Sequence, residues 1–563
     1  MTASLYYPKW KQQGAEATIS WDVSGYYMYL PATFIYHDLK KCSFADSVLK
    51  RYHPTPDFQQ TFRHYTGNYV MKYTMGQAVM FAPFFFAAHV FTPFTAYPAD
   101  GFSFPYQFCI SLGMILYAFI GLFVLRKTLL LFFTDKIVAI TLLIITAATN
   151  YLNYAAIDGA MTHNTLFTLY SILLFTTVKL FETGKLRFFI GVGLTAGLLT
   201  LIRPTEIVSL LIPVLWGIGS IADFKKRKMF TVDHYKYFFV LIACFLLVLL
   251  PQFIYWKWVS GEWLIYTYGQ EGFDWLRPHI VNGLISYRAG WLVYTPVMIL
   301  SITGFIFLYH GYRSLFWPVA IFSFCFLYIC FSWREWWYGA SLGQRAIIQA
   351  YPVFCFPLAV LLDTILKKNK LLLNGLIACF IVACTAYNLW LTHQAHRGGL
   401  FMAGQTTRSY FWASLGKMQV PKGTITLLDN EEVFHGDTSK FIKIFSDTAM
   451  HQLNKATQSI NDLFFMIHPG RKWLRARAVF TTPQKEWDLW KMPQFNLKFY
   501  EKENSNPVKV NFIRISRVLG DGETATLHFD AKIPPSCNKA SVSVWNAGSD
   551  KELIIKNIVI SEW

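Results

Sequence analysis

Long apolar runs recur through residues 104–392 and constrain the fold more than any other feature. A helix rises about 1.5 Å per residue, so about 20 apolar residues cross the hydrocarbon core of a bilayer. The pattern predicts spanning helices over 104–126, 136–157, 163–181, 186–202, 205–223, 237–258, 291–309, 315–332, 345–366 and 371–392. A chain with about 10–11 spans has no use for a single soluble core. Composition agrees. Of the 563 residues, 54% are hydrophobic and 15% charged, whereas a soluble domain carries about 25% charged residues.

The net charge of +18 comes from 51 Lys and Arg against 33 Asp and Glu. In a polytopic chain such an excess reads as positive-inside loops, so no nucleic-acid partner is expected. The loops "RKTLLLFFTDK", "ETGKLR", "DFKKRK", "HGYR" and "KKNK" are short and mostly basic, which assigns them to the cytoplasm. The alternate loops, 158–162, 203–204, 259–290 and 333–344, are aromatic and polar. Parity puts them on the opposite face together with residues 95–103. Most of the nine cysteines fall in apolar runs and read as small buried hydrophobes. No CxxC pair marks a thiol-redox or cysteine-based zinc site.

The stretch "MGQAVMFAPFFFAAHVFTPF", 75–94, carries Pro83 and Pro93 and follows no basic cluster. It reads as a helix at the outer membrane–water boundary. Residues 1–103 then form one long extracytoplasmic loop, 104–392 a transmembrane helical domain, and 393–563 a soluble domain on the same outer face. The N-terminus lacks an apolar signal core, and parity leads to the expectation of a further helix upstream of Met1. From about 420 the sequence alternates apolar and polar residues in "VKVNFIRI", "ATLHFDAKI", "ASVSVWNAG" and "LIIKNIVISEW". This is the period of antiparallel strands, and a small β-sandwich-like domain is expected.

Four polar sets fall on the outer face. Asp22 lies in "WDVSGYYMYLP" with His37 and Asp38 nearby. Asp158 and His163 lie in "DGAMTHNTLF". Arg203 and Glu206 lie in "IRPTE". Arg334, Glu335 and Arg345 lie in "FSWREWWYGASLGQRAII". Each has an ordinary explanation. Trp and Tyr at loop ends anchor helices at the interface. Arg203 and Glu206, three apart, pair on one helix. Asp158 forms a turn. Charges at membrane depth are costly, however, and several sets on one face point to a site.

Carboxylates with arginines suit group transfer from a lipid-phosphate donor. Guanidinium forks match phosphate oxygens, which makes Arg334 and Arg345 candidate phosphate ligands. A carboxylate can take a proton from an acceptor hydroxyl. Rings such as Tyr26 can stack on a sugar face. No nucleotide-binding loop is visible, which a lipid-linked donor would explain.

These segments resemble the GT-C glycosyltransferases that use polyprenyl-phosphate sugars, the group of the protein O-mannosyltransferases and the lipid A aminoarabinose transferase. Asp22 in "WDVSGYYMYLP" matches the acidic residue of that family's first outer loop. "MKYTMGQAVMFAPFF" stands where the family has its juxtamembrane helix, with Lys72 but without the paired prolines. "DGAMTHNTLF" and "LIRPTE" are similar to its second outer loop and Arg-Pro-Thr segment. The family's usual first span is absent, and its acidic pair is a lone Asp followed by Val23.

The resemblance implies an inverting transferase of a bacterial inner membrane, with its site and C-terminal domain facing the periplasm. Asp22 would be the base and Lys72 a donor-phosphate contact. Asp158 and His163 would shape the acceptor or sugar site, and the residues themselves add Tyr26 and Glu335 as candidates for it. Partners would be a polyprenyl-phosphate-linked sugar, membrane lipids, and a glycan, lipid or protein acceptor of the envelope. A divalent cation is left open, with Asp22, Asp158 and His163 as hard ligands. Two other classes stand beside this one. A transporter or lipid-linked-sugar flippase predicts repeated halves and helices broken at mid-membrane. A non-catalytic envelope scaffold predicts that Asp22 is dispensable.

Overall fold

The computed structural model describes residues 2–55, 60–482, 491–501, 506–520 and 522–563. The chain divides into two compact units, Met1–Arg397 and Gly398–Trp563.

Unit one is helical. Among the described residues, seven helices are long and apolar enough to cross a membrane: Gly76–Phe94, Phe104–Leu129, Thr162–Thr183, Tyr235–Ser260, Arg313–Ser332, Arg345–Lys368 and Leu371–Gly398. The expected stretches 104–126, 163–181, 237–258, 315–332, 345–366 and 371–392 fall within these helices, and 186–202 is the 17-residue helix Leu186–Ile202.

The other three expected spans are broken. Stretch 136–157 is Asp135–Ala147 followed, after a turn at Ala148–Asn150, by Tyr151–Ala156. Asn150 accepts the Tyr351 hydroxyl at 2.8 Å and donates to the Leu342 carbonyl at 2.9 Å. Stretch 205–223 runs as a tight turn, Pro204–Leu210, into Leu211–Leu215 and stops at Gly217, whose φ of +77° is left-handed. Stretch 291–309 is Trp291–Tyr294 and Met298–Gly311, parted at Pro296, which has no backbone N–H to continue the ladder.

Close backbone approach sets the packing. A Cβ on Gly304 would lie 2.0 Å from the Pro357 carbonyl oxygen, and one on Gly76 would lie 2.4 Å from the Ile202 nitrogen. The helix Gly76–Phe91 runs antiparallel to the first half of Phe104–Leu129. His89 bonds the Tyr106 hydroxyl at 2.6 Å, and the Tyr117 hydroxyl donates to the Met80 carbonyl at 3.0 Å. Its outer side exposes Val79, Phe86, Val90 and Phe91.

The N-terminal segment docks on the helix ends. Tyr6 meets His393, the Tyr7 ring stacks 4.8 Å from His396, and Trp10 lies 5.9 Å from Phe108. These contacts put the N-terminal segment at the same end of the bundle as the 158–162 turn. The basic loops gather at the other end, where Arg126 pairs with Asp135 and Lys367 with Asp363.

Unit two is a β-sandwich. One antiparallel sheet orders Ser459–Met466, Lys539–Trp545, Gln494–Tyr500 and Lys509–Arg514. The second orders Ile442–Asp447, Leu553–Glu562, Trp473–Thr481 and Thr524–Lys532, with His451–Leu453 also pairing on Leu553–Glu562. Alternate residues point inward. Leu474, Ala476, Ala478 and Phe480 from one sheet face Phe495, Leu497 and Phe499 from the other. Phe480 and Phe495 lie 5.2 Å apart, edge to face.

Candidate functional site

The short helix Trp21–Tyr27 presents Asp22 at the end of the bundle where the N-terminal segment docks. Gly25 allows this placement, because a Cβ there would lie 2.7 Å from the Tyr73 ring. Tyr73 therefore reaches Asp22, and its hydroxyl donates to Oδ1 at 2.8 Å. Arg345 opens the turn Arg345–Ala350 ahead of the helix Tyr351–Lys368, and its Nη2 donates to Asp22 Oδ2 at 2.9 Å.

Burial alone would raise the Asp22 carboxyl. The Arg345 charge, the Tyr73 hydroxyl, Lys72 and Arg203 outweigh it and hold the carboxyl below the usual range. The same carboxylate, after burial, pushes the Tyr73 phenol well up. Tyr73 thus stays a hydrogen-bond donor at neutral pH.

Asp22 lines a cavity of about 560 Å³. Three cations share it. Arg345 is committed to Asp22, and Lys72 Nζ to Glu271 Oε1 at 2.7 Å. Arg203 enters no ion pair among the described residues. It lies near Tyr26, Tyr268 and Tyr338, and the Glu206 charge acts on it. The walls are aromatic: Tyr26 lies 4.4 Å from Tyr73, and Tyr73 lies 6.0 Å from Tyr268. Trp256 of Tyr235–Ser260 and Phe326 and Ile329 of Arg313–Ser332 complete the lining, so apolar membrane-length helices bound one flank.

A hydrogen-bonded chain runs from the wall into the bundle. Glu206 is 2% exposed. It accepts the Tyr170 hydroxyl at 2.6 Å and Gln349 Nε2 at 2.5 Å. Gln349 Oε1 lies 3.0 Å from His163 Nδ1. An amide oxygen only accepts, so Nδ1 carries the proton and His163 Nε2, buried without a partner, is the bare nitrogen.

Of the residues expected from sequence, Asp22, Lys72, Arg345, Tyr26 and Glu335 line this cavity. Arg334, Asp158 and His163 do not. Arg334 turns outward, its side chain 57% exposed, and pairs with Asp274 at 3.4 Å. Asp158 lies 2.6 Å from Lys9 and takes Asn153 Nδ2 at 2.8 Å, so it ties down the N-terminal segment. Burial would raise the Asp158 carboxyl, but Lys9 and His396 bring it to about 2. His163 sits behind the wall and touches the cavity only through Gln349. The hard-ligand set therefore does not form: Asp22, Asp158 and His163 occupy three separate settings. Among the described residues no group of three His, Cys, Asp or Glu side chains converges as a metal site.

Arg203 and Glu206, for which the sequence left open a structural pair on one helix, do not form one. Arg203 is extended, with φ −143°, at the break between Leu186–Ile202 and the turn starting at Pro204. The Arg-Pro dipeptide is the signal, since the residue before proline avoids the helical region. Tyr73, Tyr268 and Gln349 carried no signal that distinguished them from interface aromatics and ordinary polar residues.

No protein-family model and no curated protein matches the chain. Among solved structures it is similar to the arabinosyltransferase EmbB from Mycobacterium smegmatis, at 11% sequence identity and a TM-score of 0.34. The match covers 85% of this chain and 59% of EmbB, so this chain spans less than two-thirds of EmbB's length.

Proposed function

We propose that the chain is an integral-membrane glycosyltransferase that moves a sugar from a polyprenyl-phosphate donor to an envelope acceptor. The observation that carries this reading is one cavity holding a carboxylate, a guanidinium without a carboxylate partner among the described residues, and aromatic walls, flanked by membrane-length apolar helices. The donor's isoprenoid tail lies among those helices and its sugar phosphate enters beside Trp256 and Phe326. Arg203 takes the phosphate, its fork matched to two oxygens, and Lys72 adds charge from the loop side.

The acceptor hydroxyl attacks the anomeric carbon from the face opposite the phosphate. The carbon–oxygen bond to phosphate breaks, its electron pair leaves on the phosphate, and Asp22 takes the acceptor proton. The configuration inverts. Arg345 keeps Asp22 ionised and Tyr73 fixes its orientation. An ionised carboxylate with a low pKa is a weak base. It serves here because the acceptor hydroxyl becomes acidic as its oxygen bonds to carbon. The site faces the periplasm in this reading, which the basic loops at the other end support.

The test uses the full chain in lipid nanodiscs with a panel of undecaprenyl-phosphate sugars and extracted envelope glycans. Asp22→Asn is expected to lower transfer by about 10²–10⁴-fold, the usual worth of a general base, with insertion and thermal stability checked alongside. A rate within twofold of wild type would overturn the reading.

A further inference from the structure

At the end of the bundle opposite the cavity, the 13-residue helix Ile221–Asp233 lies across the feet of other helices. We infer that its outer side is a docking surface for anionic phospholipid headgroups. One stripe faces the protein. The Arg227 guanidinium stacks 3.4 Å over Phe181 and donates to the Pro213 carbonyl at 3.2 Å. The Phe230 ring sits 5.3 Å from Phe181, and its ring also stacks on Phe189. Asp223 is spent on the N-terminal cap with Ser220. These contacts fix the helix by residues 223, 227 and 230, at i, i+4 and i+7.

The remaining arc has no partner among the described residues. Ile221 is 79% exposed, Phe224 59%, Met229 66% and Val232 62%. At 100° per residue they fall within about 140° of arc. Lys225 and Lys228 fall inside the same arc, Lys226 lies beside it, and all three are exposed. None of the three enters a salt bridge among the described residues.

An arc that alternates large apolar side chains with lysines does not suit water, which leaves the apolar groups wet. Nor does it suit the hydrocarbon core, which strips the charges. It suits the headgroup layer, where apolar tips enter the acyl boundary and lysine stems carry their ammonium groups out to phosphate. The surface is also continuous with a lipid-facing one. The chain turns at His234 into Tyr235–Ser260, which exposes Phe239, Ile242, Leu246 and Leu247 along its length. The neighbouring helix is long and apolar enough to cross a membrane, which would bring lipid to the edge of this arc, where the lysines select for its anionic fraction.

Full-length chain is titrated in detergent with dioctanoyl-phosphatidylglycerol and, separately, dioctanoyl-phosphatidylcholine, and bound lipid is counted by native mass spectrometry. Wild type is expected to prefer the glycerol lipid by at least about tenfold, because each surface lysine contributes on the order of fivefold. Lys225→Gln/Lys226→Gln/Lys228→Gln is expected to lose that preference. Ile221→Ser/Val232→Ser is expected to weaken both lipids equally and leave the preference standing. Soluble sn-glycerol 3-phosphate is expected not to compete. Unchanged preference in the lysine variant, no preference in wild type, or competition by glycerol phosphate overturns the inference; the first two leave the surface to a protein partner. The reading of the cavity is untouched by any of these outcomes.

Discussion

Asp22 Oδ2 and Arg345 Nη2 lie 2.9 Å apart although 323 residues separate them in the chain. The pair closes the first polar segment onto the start of the helix Tyr351–Lys368. Both side chains are mostly buried, 28% and 16% exposed. Removing one partner therefore leaves a desolvated charge behind. We expect Asp22→Asn and Arg345→Gln each to cost on the order of 2–4 kcal/mol, and the double variant to cost clearly less than their sum. Thermal or chemical unfolding of the four proteins in one detergent measures this. Additive losses would mean that the two groups do not act as a pair.

The same pair fixes a pH dependence. The Asp22 carboxyl is depressed in the folded chain, against about 3.9 when unfolded. Its contribution to stability is thus complete above about pH 4 and is lost as pH falls through the lower folded value. The proposed reaction needs the ionised form, so its acid limb from this group lies below the ordinary carboxylate range. Arg345→Gln removes the main force lowering it. The limb of kcat/KM is then expected to move up in pH. A pH–rate profile with an unmoved limb would assign that limb to another group.

Much of the fold was legible because hydropathy and strand alternation are local signals. The apolar runs at 104–126 and 345–366 and the alternation in "ATLHFDAKI" each became the expected element. The breaks at Asn150, Gly217 and Pro296 were not legible, because an apolar average over a window does not register one residue that turns the chain. The candidate site was legible by face but not by partner. Asp158 looked like a member of it, yet its partner is Lys9, far away in sequence and beyond any periodicity. For Arg203 the sequence left an intrahelical pair and a place in the site both open, and the backbone at Pro204 rules out the pair.

The Lys9–Asp158 pair holds the N-terminal segment. Burial works against the Lys9 ammonium, but Asp158 raises its pKa overall, while Asp158 falls to about 2. The carboxylate contributes above about pH 4 and loses its contribution as pH falls toward 2. The ammonium contributes below about pH 10 and loses its contribution as pH rises through its elevated value. The segment is expected to stay docked across that window. Lys9→Gln strands Asp158 and is expected to release the segment at a cost on the order of 2 kcal/mol. Limited proteolysis ahead of Trp21 at pH 7 reads this directly: cleavage no faster than in wild type would make the pair ornamental.

Glu206 is a buried carboxylate with no salt bridge among the described residues, satisfied by Tyr170 and Gln349. Glu206→Gln keeps the shape but puts a donor where two donors already point, unless the new amide turns its oxygen to one of them. With the oxygen on Tyr170, the new amide faces the Gln349 amide donor to donor; with the oxygen on Gln349, the new amide donates to the Tyr170 oxygen and the phenol proton loses its acceptor. A loss of about 1–3 kcal/mol in stability is expected, and Glu206→Gln with Gln349→Glu is expected to recover part of it by reversing the bond. The readout is unfolding in detergent; no recovery in the swap would show that the two side chains are not coupled through this bond.

Two arginines separate the proposed phosphate site from a surface charge. Arg203 faces the cavity without a carboxylate partner, while Arg334 is largely exposed and engages Asp274. A charge-assisted hydrogen bond in a closed site is worth about 1.5–3 kcal/mol, and an exposed pair about 0–1 kcal/mol. Arg203→Gln is therefore expected to raise the KM for a polyprenyl-phosphate sugar by about 10–100-fold. Arg334→Gln is expected to leave it within about threefold. Arg203→Lys keeps the charge but loses the fork, and falls between the two. If the phosphate bears more charge as it leaves, Arg203→Gln also lowers kcat, because an interaction stronger in the transition state is removed. Steady-state kinetics on the three variants decide the assignment: an Arg334→Gln defect as large as that of Arg203→Gln would move the phosphate out of the cavity to the exposed loop.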